Sequence, residues 1–111
     1  MPTPPPNDAI RQLTEILGDT DTREIVQTYL REFDGLIRIL ASGDRPSRHR
    51  AAHSLKSSSR HMGLPTLAIR LQELESRLLQ PDATVTADDL QALVAEFERT
   101  AEPLRTYASG K

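Results

Sequence analysis

The chain has 111 residues, which is enough for one domain with one core and too few for two. Its 14 basic and 16 acidic side chains leave a formal net charge of −2, so no overall positive field draws it to nucleic acid or anionic lipid. Cysteine is absent, which excludes a disulfide framework and a thiolate zinc site.

The start of the chain is rich in proline, and we predict residues 1–7 to be a disordered lead or a linker from a larger parent. This segment has neither a basic start nor an apolar run, so it is not a secretion signal. No stretch approaches the roughly 18 apolar residues that a membrane-spanning helix needs. These features and the lack of cysteine predict a cytoplasmic protein with no membrane partner.

Apolar residues recur at helical spacing after the lead, and no stretch alternates as a strand does, so we predict an all-α domain over residues 8–108 with a tail at 109–111. The first helix is short and ends at Gly18, which suits a left-handed cap. Its apolar face is Ile10, Leu13 and Leu17. The second helix runs from about Asp21 to Ser42, and Gly43 ends it. Its apolar stripe comprises Ile25, Val26, Tyr29, Leu30, Phe33, Leu36, Ile37 and Leu40.

Capping residues mark the third helix. Asp44 is predicted to cap its start, Pro46 occupies the first turn, where a missing N–H does no harm, and Gly63 stops it after Met62. The fourth helix follows a heptad of leucines and breaks at Pro81. These leucines are Leu64, Leu67, Leu71, Leu74 and Leu78.

Thr86 and Asp89 predict a capping sequence at the start of the fifth helix. Its predicted core face is Leu90, Leu93, Val94, Phe97, Ala101 and Leu104. The ring of Pro103 would clash with the carbonyl of Arg99, so we expect a kink or an early end near Glu102. Four long amphipathic helices with short connections predict an antiparallel up-and-down four-helix bundle, with the short first helix capping one end.

The third helix has a narrow predicted core face, made of Ala52, Leu55, Ser59 and Met62. At 100° per residue, His53 lies about 160° from Leu55, so its imidazole should point to solvent. Lys56, Ser57 and Arg60 follow on the same exposed stripe, and His49 precedes it by one turn.

Residues 45–72 contain no aspartate or glutamate but six basic residues: Arg45, Arg48, Arg50, Lys56, Arg60 and Arg70. An exposed histidine with a lysine one turn away suits a phosphoryl acceptor. Neutral imidazole is a good nucleophile near pH 7, and the cations offset the charge of the transferred group. The basic face would attract an acidic partner.

The segment Ala52-His53-Ser54-Leu55-Lys56-Ser57-Ser58-Ser59-Arg60-His61-Met62-Gly63 resembles the signature of histidine-containing phosphotransfer (HPt) domains, in which alanine and histidine are followed by leucine, lysine, glycine, small residues and a second glycine. Gly43-Asp44 precedes it at the family's spacing, and a leucine-rich helix containing Leu74-Glu75 follows. The resemblance implies that His53 is phosphorylated, that Lys56 stabilises the charge of the phosphoryl group, and that Gly63 is a close-packing position. Ser57 departs from the family, because it stands where glycine is usual, so we expect it to affect the rate of transfer.

The resemblance also implies a phosphoryl carrier with no ATP site, and the sequence contains no glycine-rich phosphate loop. Its partners would be receiver domains of a response regulator or a hybrid sensor kinase, which supply the aspartyl phosphate and its Mg²⁺. His49, Arg50, Ser57 and Arg60 would contact the partner. We expect a monomer that has no cofactor of its own and binds no nucleic acid.

Other interpretations of the same residues carry less weight. His49 and His53 have the spacing of two zinc ligands, but the neighbouring arginines repel a cation. The three consecutive serines would need a carboxylate to orient His53 for hydrolysis, and none is near it in sequence. The alternative function is a helical docking module that binds a signalling partner through the same basic face without carrying phosphate, and Ser57 is the feature that favours it.

Overall fold

The structure, a computed structural model, describes residues 3–110, so positions 1 and 2 of the predicted lead and Lys111 of the predicted tail lie outside the described residues. The described residues form five helices and no strand, which confirms the all-α prediction. The helices are α1 (Asp8–Leu17), α2 (Asp19–Ser42), α3 (Arg45–His61), α4 (Pro65–Arg77) and α5 (Ala87–Ala108). No helix among residues 3–110 has both the length and the apolar character needed to cross a membrane.

The four long helices pack around one core. α2 lies against α3 and α5, α4 lies against the same two helices from the other side, and α1 packs on α2. The stacked rings of Phe33 and Phe97, whose centroids are 3.7 Å apart, join α2 to α5 at the centre. The leucine heptad of α4 points inward as predicted, and all five of its leucines are buried.

The predicted capping residues flank helices in the structure: Gly18, Gly43, Asp44 and Thr86. α2 begins at Asp19, two residues before its predicted start, and α4 ends at Arg77, before the predicted break at Pro81. The Asp44 carboxylate accepts a hydrogen bond from the Ser47 N–H at 2.8 Å, and Thr86 and Asp89 form a complete capping box at the start of α5. Gly18 has φ +86° and Gly63 has φ +77°, a backbone region that favours glycine.

Asn7 ties the start of α1 to the end of α3. Its side-chain oxygen accepts from the Ile10 N–H at 2.9 Å, and its side-chain amide donates to the Met62 carbonyl at 2.9 Å. A Cβ at Gly63 would lie 2.5 Å from the Asn7 side-chain oxygen, so glycine is needed for this contact. We predicted residues 1–7 to lie outside the fold, whereas Asn7 is part of it.

Three residues predicted to face the core are exposed. Leu17, Ile25 and Val94 retain 41 %, 39 % and 39 % of their accessible surface. Ile25 and Val94 are each one residue, or 100° of helix rotation, from a fully inward neighbour, Val26 and Leu93 respectively. Leu17 is the last residue of α1, beyond the part of the helix that covers the core.

Pro103 does not end the fifth helix. α5 continues to Ala108, so the expectation of an early end near Glu102 is wrong. Proline removes only one helical hydrogen bond here, whereas the two turns around it are held by buried Leu104 and Tyr107. The Tyr107 hydroxyl donates to the Asp19 carboxylate at 2.7 Å and joins the end of α5 to the start of α2.

One polar pair lies inside the core between α2 and α3. The hydroxyls of Tyr29 and Ser59 are 2.8 Å apart, and both residues are buried. Burial raises the pKa of Tyr29 to about 12, although the Ser59 hydrogen bond opposes the shift. The phenol therefore stays protonated and serves as a permanent partner for the serine.

Candidate functional site

His53 points out of the bundle from the middle of α3, as its helical position predicted. Its neighbours Ala52 and Leu55 are buried in the core, whereas 59 % of the His53 side chain is exposed. With these two residues facing the core, helical geometry turns the imidazole outward.

Glu75 of α4 holds the His53 ring. The Nδ1 atom of His53 lies 2.8 Å from Oε2 of Glu75, whose side chain is only 12 % exposed. We expected no carboxylate beside His53, and that expectation is wrong because α3 and α4 pack side by side and join residues 22 positions apart. The signal available in the sequence was the Leu74-Glu75 pair, whose leucine anchors the turn that presents the glutamate.

Lys56 points toward α4 rather than into solvent. Its ammonium nitrogen lies 2.6 Å from Oε1 of Glu75 and donates to Oε1 of Gln72 at 3.0 Å, and its side chain is only 12 % exposed. Lys56 comes three residues after His53, so its side chain is rotated by about 60° around the helix axis toward α4. Ser57 comes four residues after His53, so its side chain is rotated by about 40° in the other direction, toward α2. Lys56 and Ser57 therefore lie on opposite sides of His53, whereas the sequence predicted that both follow one exposed stripe.

The protonation of this cluster follows from the environment of Glu75. Partial burial raises the pKa of the Glu75 carboxyl, but hydrogen bonds from Lys56 and His53, with their charges, outweigh it, and the pKa lies below its ordinary value. An ionised carboxylate only accepts hydrogen bonds, so Nδ1 of His53 carries the proton. In the neutral ring the lone pair is then on Nε2, the nitrogen not bonded to Glu75.

His49 lies one turn before His53 and shares the same carboxylate. Its Nε2 atom is 3.8 Å from Oε2 of Glu75. Among residues 3–110 no group of three histidine, aspartate or glutamate side chains is arranged to hold a metal ion.

The serines after His53 have different surroundings. Ser59 is buried and bonded to Tyr29, and Ser57 is half-buried on the side of α2. No hydroxyl within residues 3–110 forms a hydrogen bond with the His53 ring, whose bonded partner there is Glu75.

A continuous surface trough runs between α2 and α3, past His53, and we call it the α2–α3 groove. It consists of three adjoining cavities of about 670, 780 and 320 Å³. The first two share Glu32, Ser58 and His61, and the last two share Leu36, Ile39 and Ser54. His53 and Ser57 both line the middle cavity.

The remaining predicted site residues lie around this groove. Arg50 lines the third cavity at the start of α3, and Arg60 is exposed with no ion pair among residues 3–110. Gly63 is packed against Asn7 at the other end of α3, as its predicted close-packing position requires. The structure thus brings together His49, His53 and Lys56 on Glu75, and it does not bring Arg60 or Gly63 into that cluster.

Comparison with known proteins gives one match. A family model described as Hpt domain matches residues 23–103, which is well over half of the chain and includes all of α3 and α4. No curated protein and no solved structure matches the chain.

Proposed function

The chain belongs to the Hpt domain family, and from this premise we propose that His53 accepts a phosphoryl group from a receiver-domain aspartate and passes it to another receiver domain. Hpt domains perform histidine phosphotransfer in two-component phosphorelays and are phosphocarriers rather than catalysts. The observation that carries the proposal for this chain is the 2.8 Å contact between His53 Nδ1 and Glu75, on a ring that is 59 % exposed. It leaves Nε2 as the accessible nucleophile.

The proposed step is an in-line displacement at phosphorus. The Nε2 lone pair forms the new P–N bond while the P–O bond to the receiver aspartate breaks, and the aspartate leaves as a carboxylate. The Nδ1 proton stays on the ring, which becomes cationic, and the Glu75 carboxylate offsets that charge. The receiver supplies the Mg²⁺ that accompanies its aspartyl phosphate.

Lys56 supports this step from the α4 side of His53. Its ammonium has three N–H donors, of which one bonds Gln72, and the nitrogen also lies 2.6 Å from Oε1 of Glu75. We propose that a remaining donor serves the incoming phosphoryl group, so that Lys56 both holds Glu75 and stabilises phosphoryl charge.

The α2–α3 groove supports receiver docking at the same place. It is open beside His53, and exposed Ile39 adds apolar surface to its wall. A receiver seated here would bring His49, Arg50, Ser57 and Arg60 close to its acidic phosphorylation site. The alternative function is docking without phosphotransfer, and Ser57, which lines the groove, is the feature that favours it.

Three finer statements accompany this proposal. The connections at residues 43–44 and 62–64 are short and join helices that pack together, which supports an antiparallel up-and-down arrangement of α2 to α5. The absence of cysteine supports a cytoplasmic location. We also propose that the carrier acts as a monomer.

The test is to incubate the purified chain with receiver domains phosphorylated by acetyl phosphate and to measure phosphorylation of the chain. We expect wild type and His49→Gln to become labelled and His53→Gln to remain unlabelled, with a product that is labile in acid and more stable in base. Nuclear magnetic resonance of the product should assign the phosphoryl group to Nε2. Undiminished labelling of His53→Gln would disprove the assignment, and binding without labelling of wild type would favour the docking module.

A further inference from the structure

The two ends of the α2–α3 groove carry opposite charge. At the end near α1, the carboxylates of Asp21, Glu24 and Glu32 line the groove. At the other end the groove is lined by Arg50, which also shares an adjoining cavity with Arg45 and His49. The run of basic residues in α3 indicated only the basic half, because the acidic residues belong to a different helix.

The three carboxylates at the acidic end have no ion-pair partner within the part of the chain that the structure describes, and all three are exposed. The same helix does pair Asp19 with Arg23, on another side, and α1 pairs Asp8 and Glu15 with Arg11. Arginines close in sequence thus neutralise carboxylates outside the groove and leave those inside it available to a partner.

Apolar surface lies among these carboxylates. Leu17 and Ile25 line the same cavity and are 41 % and 39 % exposed. Exposed apolar side chains rimmed by charge are typical of protein interaction surfaces. This end of the groove therefore combines apolar contact area with a negative rim, and Glu32 connects it to the cavity of His53 because it lines both cavities.

We infer that the groove selects receiver domains whose docking face carries lysine or arginine where it meets Glu24 and Glu32, and acidic residues where it meets Arg45 and Arg50. This inference rests on the proposed function, because the occupant is the receiver that delivers the phosphoryl group. Opposite charges at the two ends favour one orientation of the partner and disfavour the reverse, which fixes the approach of its aspartyl phosphate to His53.

The test variant is Glu24→Lys/Glu32→Lys, and the matched control is Asp34→Lys/Asp82→Lys, which changes net charge equally. Asp34 is two residues past Glu32 and so lies on the opposite side of α2, and Asp82 is exposed in the α4–α5 connection. The probes are purified receiver domains in two sets, with basic or with acidic residues on the docking helix. The measurements are kcat/KM for transfer to His53, the Kd of the unphosphorylated receivers, and direct labelling of His53 by phosphoramidate, which needs no partner.

We expect wild type to prefer the basic set and the test variant to lose about tenfold in kcat/KM with that set, to gain with the acidic set, and to approach wild type at high salt. The control should change less than twofold, and phosphoramidate should label His53 in all three proteins, which would show that the acceptor is intact in each. Equal preference in wild type and test variant, or an equal loss in the control, would overturn the inference. If wild type binds receivers but takes no phosphoryl group from them, the proposed function fails, and the Kd values alone decide the inference.

Discussion

At the scale of single residues, the site depends on one carboxylate with three basic neighbours. Glu75 contacts His53 and His49 with one oxygen and Lys56 with the other. These contacts fix the His53 ring, offset its charge and anchor Lys56. Substitutions in this cluster should therefore change both chemistry and stability.

Glu75→Gln should slow phosphotransfer by about tenfold or more, because an amide still accepts the Nδ1–H but no longer offsets the charge of the phosphorylated ring. The ¹⁵N shifts of the His53 ring should also show a smaller Nδ1–H fraction. Because the pKa of Glu75 is lowered in the folded state, Glu75→Gln should lower the free energy of unfolding most above pH 4.5, the ordinary pKa of the carboxyl. The difference from wild type should diminish as pH falls below that value. Exposed Glu73 on the same helix provides the control, and equal effects of Glu73→Gln would contradict the assignment.

Lys56→Ala should reduce both stability and transfer. An exposed lysine would contribute little to folding, but the Lys56 side chain is only 12 % exposed, and its removal leaves the Glu75 carboxylate without its closest cation. We expect a loss of about 1–2 kcal/mol in urea unfolding and transfer slower by about tenfold. Arg60→Ala, which removes an exposed cation from the same helix, should leave stability unchanged. An unchanged unfolding midpoint for Lys56→Ala would show that the ion pair is not stabilising.

Ser57→Gly should transfer faster than wild type. The serine lines the groove next to His53, where the family usually has no side chain, so its removal gives the receiver a closer approach. Glycine in a helix interior should lower stability by at most about 0.5 kcal/mol. Ser57→Ala removes the hydroxyl and keeps most of the bulk, so it should transfer at close to the wild-type rate. Slower transfer by both variants would instead make the hydroxyl part of the site.

At the scale of helices, the start of α1 and the end of α3 depend on each other through Asn7 and Gly63. Gly63→Ala should destabilise the bundle by about 2–3 kcal/mol, because it adds strain at positive φ and displaces the Asn7 cap. In an Asn7→Ala background the obstruction is gone, so the same substitution should cost about 1 kcal/mol less. Strictly additive losses in thermal unfolding would show that the two residues act independently.

At the scale of the whole molecule, acid stability should depend on the connection between α4 and α5. Arg77 binds both carboxylate oxygens of Asp89 at 2.9 Å and also bonds the Thr84 carbonyl. The Arg77 hydrogen bond holds the pKa of Asp89 far below its ordinary value. The ionised Asp89 carboxylate therefore stabilises the fold fully above the unfolded pKa, near 3.8. This stabilisation is lost as pH falls through the folded pKa.

Asp89→Asn should lower the free energy of unfolding by about 1–2 kcal/mol at pH 7, and the difference should narrow below about pH 4. Asp82, in the same connection and without an ion pair among residues 3–110, provides the control. Asp82→Asn should leave the pH profile of unfolding unchanged. A difference for Asp89→Asn that does not narrow between about pH 4 and pH 2 would show that charge is not its cause.

Local signals account for what the sequence predicted correctly. Asp44, Gly63 and the Thr86 capping box mark helix ends, and helical spacing turns His53 outward. Glu75 could not be predicted as its partner from spacing, because its distance to His53 depends on how two helices pack. Ile25 was misplaced because a stripe as wide as that of α2 does not define which edge reaches the core.

The buried hydrogen bond between Tyr29 and Ser59 has a consequence for the surface of the molecule. The core face of α3 includes two alanines. Their small side chains only weakly determine how the helix is rotated about its long axis. The Tyr29–Ser59 bond defines this rotation, because turning α3 by one residue would leave two buried hydroxyls without partners, at about 1–3 kcal/mol each. The direction in which His53 projects from the surface is thus set by a polar contact on the interior side of its helix.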